Sequence, residues 1–210
     1  FWHVPTSLLG MVDAAIGGKT GVDVEGIKNL AGTFSQPNAL FVYPDFLKTL
    51  PKKQLRSGMA EVFKHGLIAD KLYWESAKTA WKKKDFASVV AGSVRIKTGI
   101  VAQDEKEGGL RKLLNFGHTL GHAIESFYLQ TEKPILHGDA VAAGMIMAVQ
   151  LSVLKADLPA ETAAEIVETL TAVFPKLNWN AADDEHILSW LAHDKKNLGQ
   201  ELRFVLLRDV

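Results

Sequence analysis

The residues with the clearest chemical potential are histidines. Asn115-Phe116-Gly117-His118-Thr119-Leu120-Gly121-His122 places two of them four positions apart. On a helix such a pair shares one face, with Cβ atoms about 6 Å apart. Gly117 and Gly121 leave room for a ligand beside that face. A third histidine, His137, follows after a loop and stands before Gly138 and another apolar stretch. Upstream, Ala60-Glu61-Val62-Phe63-Lys64-His65-Gly66 puts Glu61, Lys64 and His65 on one helical face. The chain has no cysteine, so thiolate ligands are excluded and any metal is held by nitrogen and oxygen. A catalytic zinc ion commonly takes three such ligands and leaves a position open; two of these histidines with Glu61 would supply that set. An i,i+4 histidine pair is equally at home on an ordinary surface or core face. No glutamate follows His118, as the zinc-protease pattern requires. The spacing alone leaves both readings open.

A second set is cationic. Gly17-Gly18-Lys19-Thr20 has the look of the end of a phosphate-binding loop, but the earlier glycine that such a loop needs is Asp13. The segment is either a glycine turn that brings backbone and Lys19 to an anion or a plain tight turn with a solvated lysine. Lys28-Asn29 also reads as a polar turn. Lys64 lies on the buried-looking side of its helix. Lysines are rarely interior without a partner, so it is paired with a carboxylate or aimed at an anion. Lys97, Arg111 and the Lys195-Lys196 pair fit solvated faces when taken one by one. Gly108-Gly109-Leu110-Arg111, however, delivers Arg111 and Asn115 to the neighbourhood of His118.

The elements that must position these groups divide near residue 50. Residues 1–50 are glycine-rich with little helical periodicity, and Ala39-Leu40-Phe41-Val42-Tyr43, between Pro37-Asn38 and Pro44, reads as a buried strand. Beyond Pro51 the pattern is helical. Helices are expected over 52–69, 70–83, 85–104, 113–129, 138–155, 159–174 and 183–193, followed by a terminal strand over 202–207. There is no internal repeat. The 210 residues, 47% hydrophobic, suffice for one substantial core or two smaller ones. Lys+Arg and Asp+Glu are 24 each, so no overall basic field exists to draw a nucleic-acid backbone. No uninterrupted apolar run approaches the roughly 20 residues of a membrane span. The absence of cysteine suits the cytoplasm. The opening Phe1-Trp2-His3-Val4-Pro5 lacks the basic and apolar regions of a signal peptide and does not begin with Met, as expected of a chain cut from something longer.

Taken together and in order, the motifs carry a resemblance. Pro5-Thr6-Ser7-Leu8-Leu9, Asp13, Gly17-Gly18-Lys19-Thr20-Gly21, Lys28-Asn29, the Ala60–Gly66 segment, Glu107-Gly108-Gly109-Leu110-Arg111, the Asn115–Ala123 segment and Leu136-His137-Gly138 are similar to those of the 3-dehydroquinate synthase family. The resemblance spans nearly the whole chain. Departures are mild: Ser7 where a second Thr is usual, Ala14-Ala15 where Ser-Ser is common, and Asp23 where Asn is frequent. The family's glycine-rich pyrophosphate loop would lie before Phe1.

The resemblance implies a mainly α fold, a multi-helical metal- and substrate-binding domain over 51–210 preceded by a remnant of an α/β nucleotide-binding domain over 1–50. It implies conversion of 3-deoxy-D-arabino-heptulosonate 7-phosphate to 3-dehydroquinate and phosphate, with NAD and one divalent metal, zinc or cobalt, in a full-length homodimer. Glu61, His118 and His137 would be the metal ligands, which moves His122 to the substrate site. Lys64, Lys97, Arg111 and Asn115 would contact substrate, and Lys195 or Lys196 its phosphate. Thr6, Ser7, Asp13, Lys19, Lys28, Asn29, Phe46, Leu47, Lys48 and Thr49 would lie on the NAD side. In such chemistry a transient oxidation acidifies the neighbouring C–H, phosphate leaves, and reduction, ring opening and aldol closure follow. Forked guanidinium and ammonium groups suit the carboxylate and phosphate, and an imidazole suits proton relay near neutral pH. Related alternatives are a 2-deoxy-scyllo-inosose synthase, a sedoheptulose-phosphate cyclase, or a metal-dependent alcohol or glycerol dehydrogenase. A non-catalytic helical domain is the alternative outside enzymes. The 210-residue chain alone is expected to show little turnover.

Overall fold

Helices dominate because apolar side chains recur at helical spacing from Pro51 onward, and short polar residues set the ends. The computed structural model describes residues 1–24, 27–192 and 202–210, without the side chains of 23–30 and 192. In chain order the elements are β1 (Trp2–His3), β2 (Lys19–Val24), β3 (Ile27–Phe34), β4 (Ala39–Leu40), α1 (Lys52–Ala69), α2 (Lys71–Lys83), α3 (Phe86–Gln103), α4 (His118–Leu129), α5 (His137–Ala156), α6 (Ala160–Val173) and α7 (Ala181–Ala192). A π-helical turn over Gly10–Ala14 and 3-10 turns over Pro44–Thr49 and Leu110–Asn115 complete them. Pro51 starts α1, where a residue without an N–H is tolerated. Asp70 ends α1 and caps α2 by accepting from the Tyr73 N–H at 2.9 Å. Asp85 caps α3 in the same way through Ser88.

The chain forms two compact units. The first holds Phe1–Val22, Ala31–Leu114 and Val210. Here β1 and β4 pair in parallel, Trp2 opposite Ala39 and His3 opposite Leu40. Helices α1, α2 and α3 pack on one another, and the Gly10–Ala14 turn packs on α1 and α3. Close contacts rely on glycine: a Cβ on Gly66 would sit 2.7 Å from the Trp74 backbone, and one on Gly58 would sit 2.6 Å from Leu8.

The second unit holds Asp23–Leu30 and Asn115–Asp209. Helix α4 lies against α5 and α7, and α5 also against α6. Its core joins Leu120, Ala123, Ile124 and Tyr128 of α4 to Ala140, Ile187 and Leu191, with Trp179, Trp190 and Phe204 at the edge. By length and composition α5 is the one helix among the described residues that could cross a membrane. Half of it is buried inside the fold, however, and Asp139 and Gln150 interrupt its apolar character.

Three expectations need correcting. Ala39–Tyr43 is not a buried five-residue strand: only Ala39–Leu40 pairs, and Phe41 and Tyr43 are exposed because the chain turns at Pro44 into a 3-10 turn. Leu202–Leu207 is not a strand; it lies on the helices, with Phe204 in the α4 core and the Leu207 N–H on the Ser152 hydroxyl at 3.0 Å. The helix expected from residue 113 begins only at His118, since Gly117 has φ +74° and ends the preceding turn. A Cβ on Gly144 would meet the Gly117 carbonyl oxygen at 2.1 Å and the Gly121 backbone nitrogen at 2.6 Å. Gly144→Ala is therefore expected to destabilise the chain by roughly 2–3 kcal/mol in urea titrations. Gly99→Ala, in α3 with nothing within 4 Å of its Cβ, should instead stabilise it by about 0.5–1 kcal/mol.

Candidate metal and substrate site

In the second unit, three imidazoles gather. His118 opens α4 and His122 follows one turn later, with ring centroids 5.3 Å apart. His137 opens α5, its ring 5.5 Å from that of His118 and 6.0 Å from that of His122. The helices come this close because Gly121 faces Val141, where a Cβ would lie 3.0 Å from the Val141 Cα. Hydrogen bonds orient the rings of His118 and His137. His118 Nδ1 donates to the Phe116 carbonyl at 3.1 Å, and His137 Nδ1 is 2.8 Å from the Glu125 carboxylate. A carbonyl and an ionised carboxylate only accept, so both imidazoles carry a proton on Nδ1, which leaves Nε2 as the nitrogen that could serve a metal. That is the form in which histidine ligates a metal. Asn115, by the start of α4, lines a small crevice with Gly117, Thr119, Gly144 and Phe204.

In the first unit, charges are buried together. Glu61, Lys64 and His65 of α1 are at most 1% exposed, and Lys97 of α3 is 6% exposed. Lys64 pairs with Glu61. Lys97 donates to the Asp13 carbonyl at 2.6 Å and to its carboxylate at 2.5 Å. Burial acts to raise the Asp13 pKa, but the Lys97 ammonium, helped by Lys64 and opposed by Glu61, brings it down to about 2. Burial and the adjacent Lys64 ammonium lower His65 to about 3, so it is neutral. Its Nδ1 lies 3.1 Å from the Ser93 hydroxyl, which lies 2.7 Å from the Tyr73 hydroxyl. Tyr73 in turn donates to the Val89 carbonyl at 2.6 Å.

Arg111 is 1% exposed. Its guanidinium donates to the Gly17 carbonyl at 2.8 Å and to the Glu105 carbonyl, and stacks over Phe34 at 5.8 Å. Its position is set by Asp104, whose carboxylate accepts from the backbone N–H groups of Gly108, Gly109 and Arg111 at 2.7–2.9 Å. Those donors, Arg111 first, hold the Asp104 pKa below its ordinary value.

The residues expected on the NAD side have varied surroundings. Ser7 accepts from the Gly10 N–H at 3.1 Å and caps the turn that carries Asp13. Thr6 is exposed. Gly17 and Gly18 form the expected turn, with φ +97° and +67°, while Lys19 begins β2 and pairs with Glu107. Lys28 and Asn29 lie in β3 rather than in a polar turn. Phe46, Leu47, Lys48 and Thr49 belong to the 3-10 turn; Leu47 is core, and Lys48 pairs with Asp45 at 2.9 Å. Lys195 and Lys196 lie outside the described residues. Sequence reasoning passed over Asp104, Glu125, Ser93 and Tyr73. Only Asp104, just ahead of a Gly-Gly turn, had a local signal.

Solved structures with the same fold include 2-epi-5-epi-valiolone synthase from Streptomyces hygroscopicus with NAD+ and Zn2+ bound. It is 25% identical, with a TM-score of 0.88, and the match covers 100% of this chain and 60% of that one. Another is 2-deoxy-scyllo-inosose synthase complexed with carbaglucose-6-phosphate, NAD+ and Co2+: 26% identical, TM-score 0.82, covering 100% and 59%. In sequence, the profile of the 3-dehydroquinate synthase N-terminal region matches residues 1–57 and that of its C-terminal region residues 58–197. Curated 3-dehydroquinate synthases from Parabacteroides distasonis and Thermosynechococcus vestitus are 41% and 43% identical over 99% and 97% of the chain. The chain belongs to the 3-dehydroquinate synthase family. It spans about 60% of the length of the curated relatives it matches.

Because His65 is held near pKa 3 against an ordinary 6.5, the unfolded chain takes up a proton that the folded chain refuses as pH falls below 6.5. Stability present at neutral pH is thus lost on acidification, by about 2 kcal/mol between pH 7 and pH 5. Urea unfolding in the presence of a chelator should show that increment in the wild type and its absence in His65→Gln.

Proposed function

We propose that the chain carries the metal- and substrate-binding part of a 3-dehydroquinate synthase, which converts 3-deoxy-D-arabino-heptulosonate 7-phosphate to 3-dehydroquinate and phosphate. The observation that supports this reading is the pair of neighbouring imidazoles, His118 and His137, each oriented by a hydrogen bond at Nδ1. Together with Glu61 they make a nitrogen–oxygen donor set without thiolate, which fits zinc or cobalt. When bound, a divalent ion would polarise substrate hydroxyl oxygens, and NAD would accept and return a hydride.

The chain's own groups do the rest. Lys64, Lys97 and Arg111 supply cations for the substrate's carboxylate and phosphate, and Lys195 or Lys196 adds one for the phosphate. Asn115 orients hydroxyls, and half-buried His122 holds or passes a proton. Thr6, Ser7, Asp13, Lys19, Lys28, Asn29 and the Phe46–Thr49 turn serve the NAD side. Because Lys64 and Lys97 already face carboxylates, their charge is placed before substrate arrives, which favours positioning over rearrangement. The reading divides the chain near residue 50, close to where the two family profiles meet at residues 57 and 58. It also places the full-length enzyme in the cytoplasm as a homodimer. The solved structures of other cyclases sustain a second reading, 2-deoxy-scyllo-inosose synthase-like chemistry.

Metal analysis after equilibration with Zn2+ should find one ion per chain in the wild type and little in Glu61→Ala or His118→Ala. Retention of the ion by both variants would refute the ligand set. With metal and NAD present, the heptulosonate 7-phosphate should raise the unfolding midpoint by about 2–4 °C for each kcal/mol of binding. Glucose 6-phosphate should not. The reverse preference would favour the second reading.

A further inference from the structure

We propose that Glu125 is a positioning residue for His137, fixing its tautomer and ring angle and enriching Nε2 as a metal donor. This rests on the reading that His137 is a metal ligand. Glu125 stands seven residues after His118 and three after His122, on the same face of α4. Its side chain is 8% exposed, on a helix whose neighbouring residues Leu120, Ala123, Ile124 and Tyr128 are core. A carboxylate in such a place costs stability unless it is bonded, and its Oε2 lies 2.8 Å from His137 Nδ1.

His137 needs this partner more than His118 does. It is the first residue of α5, its side chain is 22% exposed, and its Nδ1 is held by the Glu125 carboxylate. His118 is turned by a neutral backbone carbonyl only two residues away, at 3.1 Å. The two imidazoles are therefore unequal donors. One hydrogen-bonds to a formal negative charge, which raises the electron density of the ring, and the other to a dipole. The charge also offsets part of the positive charge a divalent ion would bring. Deleting it should weaken metal binding even where folding is intact.

The test uses cobalt(II) and the 210-residue chain, with affinity measured against a competing chelator and ligand-field absorption recorded. The variants are Glu125→Gln, which keeps an acceptor but loses the charge, and Glu125→Asp, which keeps the charge but shortens the reach. Both should bind cobalt about 10–100-fold more weakly than wild type, with altered absorption and little change in the unfolding midpoint of the metal-free chain. In the metal-free wild type, long-range 1H–15N NMR should find His137 protonated on Nδ1; Glu125→Gln should show a mixed population. Equal cobalt affinity and the same tautomer in wild type and both variants would overturn the role of Glu125 alone. Absence of cobalt binding by the wild type would overturn the metal reading, and the Glu125 role with it.

Discussion

The separation of α4 from α5 is the constraint on which the second unit depends. Gly117, Gly121 and Gly144 remove the side chains that would hold these helices apart, and at Gly144 the neighbouring atoms are backbone that cannot step aside. Close approach places the first residue of α5 beside the first two turns of α4, where His118 and His122 stand. With helices spaced by ordinary side chains, interaxial distances reach 8–10 Å, and the three rings would separate. The glycines that look like leniency in the sequence are what makes the histidine cluster tight.

The first unit solves a different problem. Four ionisable groups, two of each sign, sit together there: Glu61, Lys64 and Lys97 are buried and Asp13 is partly buried. Burial lowers the Lys97 pKa, and the Asp13 carboxylate beside it opposes that shift. Buried ion pairs seldom improve stability over apolar packing, so their presence is better explained by the anionic ligand proposed above. Arg111 is held differently, by the carbonyls of Gly17 and Glu105, and keeps a positive charge with no carboxylate bonded to it among the described residues.

Much of this was readable beforehand. Helix α1 was anticipated over the very residues it spans, because Pro51 and Asp70 punctuate it and its apolar spacing is regular. The two histidine segments announced themselves through short spacing and flanking glycines. What could not be read were features settled by contacts distant in sequence. The Ala39–Tyr43 run looks apolar enough for a buried strand, but burial depends on what lies opposite, and Phe41 and Tyr43 meet solvent. Residues 202–207 have strand composition yet find helices rather than a sheet edge. Glu125 resembles any polar residue on a helix until His137, twelve positions on, is brought against it. Ser93 and Tyr73 likewise become meaningful only once α1, α2 and α3 are packed.

The route by which the cluster forms also matters for how the molecule folds. Helices α4 and α5 are joined by residues 130–136, so bringing their faces together closes a short loop at small entropic cost. The Lys97–Asp13 bond must close a span of 84 residues. The imidazole cluster is thus a local product of one helical hairpin, whereas the Lys97–Asp13 pair depends on residues far apart in the chain.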